Sequence, residues 1–127
     1  MKTKLAQAVG LTLGLTMGLV ATGTSAQNIK VAQVVELSGP GTAAGTMYRN
    51  GANMAIKEIN AAGGIMGKKV ESMEMDTQTQ PAIAKAMTVK AIDDKVTAIF
   101  GPVYSGSILV SQAESQKAKI GRASCRE

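Results

Sequence analysis

Between Ile29 and Gly45 the chain reads IKVAQVVELSGPGTAAG, and its character changes at Ser38. Up to Leu37 the residues are largely apolar and rich in β-branched side chains, as in a strand buried on both faces of a parallel sheet. From Ser38 to Gly45 come three glycines and a proline, turn chemistry that stops a strand and leads into a helix. Between Thr46 and Ala62, Ala52, Ala55, Ile56 and Ile59 fall at i, i+3, i+4 and i+7, while Arg49, Asn50, Lys57 and Asn60 take polar positions. That spacing predicts an amphipathic helix with an apolar stripe. Gly63 and Gly64 follow its last turn as carboxy-terminal caps.

Working onward, Lys68 to Asp76 (KKVESMEMD) alternates, with one face apolar only at Met73 and Met75. Charged residues on such a strand suit the edge of a sheet, where they discourage open pairing. Pro81 fits a first helical position, and Ile83, Met87 and Ala91 recur every four residues in a second helix reaching Asp93. Val96 to Phe100 reads as a third strand, Gly101 to Gly106 as a loop, and Ser107 to Lys117 as a third helix capped by a serine. The order βαβαβα with short loops predicts an α/β fold: a parallel sheet with helices on both faces, right-handed crossovers and strand order 2-1-3. A fourth strand is expected to start at Lys119 and Ile120, so the segment reads as part of a truncated lobe with an open sheet edge.

The two ends of the chain read differently from its middle. Met1 to Ala26 has Lys2 and Lys4, an uncharged apolar run from Leu5 to Ala21, and Thr24-Ser25-Ala26 before Gln27. These are the three parts of a secretory signal peptide cleaved near Ala26, which implies a periplasmic, soluble mature protein. A membrane anchor would need about 20 apolar residues, and this run is interrupted by Gly10, Gly14 and Gly18. At the other end, residues 120–127 (IGRASCRE) read as the translation of a common short-read sequencing adapter, so the native chain is expected to depart from this sequence after Lys119. The expected division is therefore 1–26 signal, 27–119 amino-terminal part of one lobe, and 120–127 non-native tail.

Composition narrows the chemistry. The net charge of +5 shrinks between Gln27 and Lys119 to a surplus of two, from ten basic and eight acidic residues. That surplus, with two tyrosines, one phenylalanine and no tryptophan, is no footprint for nucleic acid. There is no histidine, and the lone Cys125 lies in the doubtful tail, so neither a histidine-based triad nor a disulfide is available. The carboxylates Glu71, Glu74, Asp76, Asp93 and Asp94 have no metal-ligand spacing. No enzyme, metal or cofactor is expected.

Ligands of open parallel sheets bind outside the carboxyl ends of the strands, where helix amino termini present free N–H groups. Two loops fall on that edge, Ser38 to Gly45 and Gly101 to Ser107, and both combine glycine with hydroxyls and open helices whose dipoles favour a carboxylate. A small anion or zwitterion fits such a pair, although glycine and serine are also ordinary turn residues. Tyr104, between turn residues, is expected to be partly exposed and could cover a ligand. A rival motif is present in Gly39, Gly41 and Gly45, a G-x-G-x-x-x-G turn with Asp76 ending the next strand, as in dinucleotide-binding folds. Pro40 in the turn and the export signal stand against it.

These segments together resemble the periplasmic leucine/isoleucine/valine-binding proteins, the solute-binding subunits of branched-chain amino-acid ABC transporters. The resemblance is carried by IKVAQVVELSGPGTAAG, NGANMAIKEINAAGGIMGKKVE, DTQTQPAIA and AIFGPVYSGS, and spans Ile29 to about Lys119. It implies a type I periplasmic binding protein lobe, one of two that close over a small amino-acid-like ligand. It also implies a membrane permease as partner and a monomeric protein. By the resemblance, Ser105 holds the ligand carboxylate, Tyr104 and Gly106 stand beside it, and Ser38, Gly39, Pro40 and Ala44 line the pocket's flank. Thr79 and Tyr104 take positions where some members carry a cysteine pair. A receptor's ligand-sensing domain of the same fold and an exported dinucleotide enzyme are the alternatives.

Overall fold

The computed structural model describes residues 27–123; the expected signal peptide, Cys125 and the last four residues of the tail lie outside that range. Seven elements follow one another: β1 (Ile29–Val35), α1 (Thr42–Ala61), β2 (Val70–Asp76), α2 (Pro81–Asp93), β3 (Ala98–Phe100), α3 (Ser105–Lys117) and β4 (Gly121–Ala123). All strands are parallel, in the order β2-β1-β3-β4. The expected order 2-1-3 is present, with β2 at one edge and the expected fourth strand beside β3.

β1 is the centre of the sheet, pairing with β2 from Ile29↔Val70 to Val35↔Asp76 and with β3 from Val31↔Ala98 to Gln33↔Phe100. Its side chains alternate between two unlike faces. One face packs Ala32 and Val34 with Met75, Ile99, Val96 and Ala91, flanked by Met73, Met87, Ile92 and Ile120. α2 and α3 lie on this side, meeting along a seam of small residues. Ala84, Thr88 and Ala91 of α2 and Ser107, Ser111 and Ser115 of α3 are all buried. The Thr88 hydroxyl donates to the Ala84 carbonyl at 2.8 Å and lies 2.9 Å from the Ser111 hydroxyl, while Ser115 donates to the Ser111 carbonyl at 2.8 Å.

The other face is covered in part by α1. Of the stripe Ala52, Ala55, Ile56 and Ile59, Ala52 and Ile56 are half-buried while Ala55 and Ile59 are exposed, and only Gly45 of this helix is fully buried. Polar side chains of the helix also bond across to the sheet. Buried Gln33 donates to Asn53 at 2.6 Å and to Ser72 at 2.7 Å, Asn53 donates to Glu74 at 2.8 Å, and Asn60 exchanges two bonds of 2.8 Å with the Val70 backbone. On this face buried Val31 and Val35 flank Gln33 on β1, and Val70 precedes Ser72 and Glu74 on β2, so the helix amides meet the polar positions between the valines. Its apolar stripe lines a groove of about 480 Å³ with Met47, Tyr48, Phe100 and Ala123.

Boundaries differ by a few residues. α1 starts at Thr42 rather than Thr46, because the Thr42 N–H and hydroxyl both reach the Gly39 carbonyl, at 3.2 and 2.6 Å, and close the first turn early. α3 starts at Ser105, with Tyr104 as N-cap and no side-chain cap, so the expected serine cap is absent. In α2 the buried positions are Ala84, Thr88 and Ala91, while Ile83 and Met87 are half-buried. β2 and β3 are each shorter at the start than expected. Gly63 and Gly64 do end α1, with φ of 100° and 81° and N–H groups donating to Asn60 and Ile59 carbonyls.

Candidate functional site

At the carboxyl edge of the sheet three loops are fastened to one another. Asp76, the last residue of β2, accepts the N–H groups of Leu37, Ser38 and Gln78 on Oδ1 at 2.9, 3.1 and 2.8 Å, and the Ser38 hydroxyl on Oδ2 at 2.5 Å. Burial pushes this carboxyl up. The bonds from the Ser38 hydroxyl and from the Gln78, Leu37 and Ser38 N–H groups outweigh it and hold the group below its ordinary value. Thr79 adds a second fastening, as its hydroxyl donates to the Ser38 carbonyl and accepts the Gly41 N–H, both at 2.9 Å.

The third loop is held from beneath. Glu36, directly after β1, is fully buried, and its carboxylate accepts the Val103 N–H at 3.1 Å and the Tyr104 N–H at 3.4 Å. Space around it is tight. A Cβ on Gly45 would lie 2.0 Å from the Glu36 carbonyl oxygen, and one on Gly41 would lie 2.8 Å from the Tyr104 ring and 3.1 Å from the Glu36 Cβ. Glycine at these two positions lets the start of α1 lie directly against Glu36 and Tyr104.

Ala44, Val103, Tyr104 and Ser105 line a cavity of about 250 Å³ between the starts of α1 and α3. Three of the seven expected site residues, Ala44, Tyr104 and Ser105, therefore meet in one place. Tyr104 is 44% exposed, as its position between turn residues suggested. Ser38, Gly39 and Pro40 form the exposed turn beside the cavity, and Ser38 spends its proton on Asp76. Gly106 follows Ser105 in the first turn of α3, where a Cβ would meet Pro81 at 3.4 Å, and it is not among the residues lining the cavity. Thr79 and Tyr104 flank Gly41 from two sides, so these two positions are neighbours.

The dinucleotide motif fares poorly in this geometry. Asp76, its ribose acceptor, is occupied by four hydrogen bonds from its own and the neighbouring loop, and the Gly41 N–H is taken by Thr79. Among the described residues no group of three or more His, Cys, Asp or Glu side chains could hold a metal ion, and no helix is long and apolar enough to cross a membrane.

A parallel sheet of this order, with glycine-rich loops at its carboxyl edge, agrees with what comparison with known families finds. The periplasmic binding protein family matches residues 28–120. This chain belongs to that family. Among its relatives, the leucine-specific-binding protein of Salmonella typhimurium is 40% identical over 94 residues, 74% of this chain and 26% of the relative. The Leu/Ile/Val-binding protein of Escherichia coli is 37% identical over 82 residues, 65% of this chain and 22% of the relative. Among solved structures, the branched-chain amino acid transporter substrate binding protein LivJ from Streptococcus pneumoniae, in complex with isoleucine, superposes with a TM-score of 0.75 at 38% identity, covering 76% of this chain and 28% of that one. The chain thus spans about a quarter of the length of the relatives it matches.

Within this periplasmic binding protein segment, three residues that organise the cleft edge were not expected from sequence as site residues: Glu36, Asp76 and Thr79. Glu36 left the clearest signal, because an ionisable side chain closing a strand buried on both faces must find donors. Asp76 was noticed for its place at a strand end, but its four donors come from two loops whose approach only the fold reveals.

Proposed function

We propose that this chain is the amino-terminal part of an exported solute-binding protein that captures an amino acid or similar small carboxylate for an ABC transporter of the branched-chain type. The cavity bounded by Ala44, Tyr104 and Ser105 carries the reading. It lies at the start of two helices, where N–H groups and the positive helix ends favour a carboxylate. Ser105 is the first residue of α3, and its hydroxyl and N–H are the proposed carboxylate donors. Tyr104 covers the ligand from the side and Ala44 leaves room for it. No bond is made or broken; the second lobe closes over the loaded site and the closed form is presented to a permease. The names of the relatives, leucine-specific and Leu/Ile/Val-binding, support a branched-chain ligand.

The same proposal sets the place and limits of the mature protein. Cleavage near Ala26 releases it into the periplasm, where it acts as a monomer. Native sequence is proposed to run to Lys119 and diverge afterwards, supported by the family match reaching only residue 120. Pairing of Gly121–Ala123 with β3 is made by backbone groups, which any sequence supplies, so occupancy of that edge does not depend on the tail being native. Resequencing the genomic locus would sink this boundary if authentic DNA encodes residues 120–127 followed by a stop codon.

The function is tested by expressing the full-length mature protein and following its melting temperature against amino acids, amides and small aromatic acids. A ligand that binds only the folded state raises the midpoint. A rise with leucine, isoleucine or valine is the expected result. A flat response to all three with a rise for another carboxylate keeps the capture mechanism and removes the branched-chain assignment.

A further inference from the structure

We infer that Glu36 is the positioning residue of the ligand loop: its buried carboxylate draws the Val103 and Tyr104 amides inward and so fixes how Ser105 is presented to the cleft. The inference rests on the proposed binding role of Ser105 and adds the group that holds it. A fully buried carboxylate is destabilising by several kcal/mol unless donors or positive charge surround it. Glu36 forms no ion pair with any described Lys or Arg. What it has instead is two N–H donors, from Val103 and Tyr104, and a place at the starts of two helices. Tyr104 is the N-cap of α3, and the backbone of Glu36 lies against Gly45 in the first turn of α1. The start of α3 therefore lies at the carboxylate, and its positive end adds to the two N–H donors there.

The consequence for the site is geometric. The two amides immediately before Ser105 point into the protein, onto Glu36, and the Tyr104 carbonyl accepts the Ile108 N–H at 2.9 Å to start α3. With the chain held on both sides of this turn, the Ser105 amide and Cα–Cβ bond are fixed relative to the sheet. Glu36 itself is sealed from the cavity and acts through residues 103 and 104, so it is not a ligand contact.

The test uses the full-length mature protein with Glu36→Ala, Glu36→Gln and, as a control away from the cleft, Thr88→Ala in the α2–α3 seam. Hydrogen exchange of the Val103 and Tyr104 amides and calorimetric Kd values for leucine, isoleucine and valine are measured on each. Glu36→Ala is expected to speed exchange of both amides at least tenfold and raise Kd at least tenfold. Glu36→Gln, which retains one carbonyl acceptor, is expected to fall between it and wild type and serves if the alanine variant does not fold. Thr88→Ala is expected to lower the melting temperature while leaving Kd and both amides unchanged. Unchanged exchange in the Glu36 variants overturns the inference, and so does faster exchange with a Kd within twofold of wild type. A Kd increase in Thr88→Ala matching its loss of stability also overturns it, by reducing the Glu36 effect to general destabilisation. If wild-type protein binds none of the three amino acids, the proposed function fails for them, and amide exchange alone then decides whether Glu36 holds the loop.

Discussion

Ser105 begins α3 at the wall of the cavity, and removing its hydroxyl tests the site most directly. In the full-length protein Ser105→Ala is expected to weaken binding by about 1–3 kcal/mol, the range for a hydrogen bond to a charged group. Isothermal titration checks this, and an unaltered Kd removes Ser105 from the site. Asp76 makes a separate prediction about acid. Its carboxyl is held below the ordinary value in the folded protein, so the unfolded chain takes up a proton first as pH falls. The stabilisation it gives is complete above the ordinary aspartate value of about 3.9 and is lost as pH drops through the lower folded value. Asp76→Asn is therefore expected to melt lower at pH 7 and to show a flatter decline below pH of about 4. Melting curves from neutral to acid pH measure both; superimposable acid profiles would show that another group governs that region.

At the level of elements, two glycines of α1 are expected to respond oppositely to one change. Gly45→Ala would place a methyl 2.0 Å from the Glu36 carbonyl oxygen, forcing α1 off the sheet at an expected loss of about 1–3 kcal/mol. Gly51→Ala meets nothing within 4 Å and removes backbone freedom from a helix interior, for an expected gain of about 0.5–1 kcal/mol. Urea midpoints distinguish the two, and equal shifts would mean that α1 does not pack as described. The order of elements was legible because punctuation was strong: Pro81 starts a helix, Gly63 and Gly64 end one, and the β-branched runs lie between. How α1 faces the sheet was not legible. The stripe turns toward Phe100 and Ala123, but the bonds of Asn53 and Asn60 to β1 and β2 depend on Gln33, Glu74 and the Val70 backbone, polar groups set among buried Val31, Val35 and Val70 on the same face. The α2–α3 seam was hidden for a related reason, since serines at 107, 111 and 115 look hydrophilic until a close neighbour with Ala84 and Thr88 is known. Of the residues expected at the site from turn chemistry and resemblance, Ala44, Tyr104 and Ser105 line one cavity, whereas Glu36 and Thr79 act through contacts between residues more than thirty positions apart.

For the molecule as a whole, the topology leaves one flank of the sheet without a helix among the described residues. α2 and α3 share a face of the sheet, so on the other face α1 covers β1 and β2 while Phe100 and Ala123 open into the apolar groove. A fragment ending at Lys119 is expected to bind a hydrophobic dye such as ANS strongly and to self-associate, whereas the full-length protein binds little; equal dye fluorescence from the two would show that the groove stays open in both. The fastenings at the carboxyl edge have a different consequence. Asp76 and Thr79 bind the first loop to the second, and Glu36 binds the third to β1, so all three are ordered before any ligand arrives. Ordering a loop at the moment of capture would subtract conformational entropy from affinity and slow association. Here that entropy is lost during folding, so under the proposed capture role a solute would meet a half-site already in register, with the rate left to diffusion and to the closing of the opposite wall.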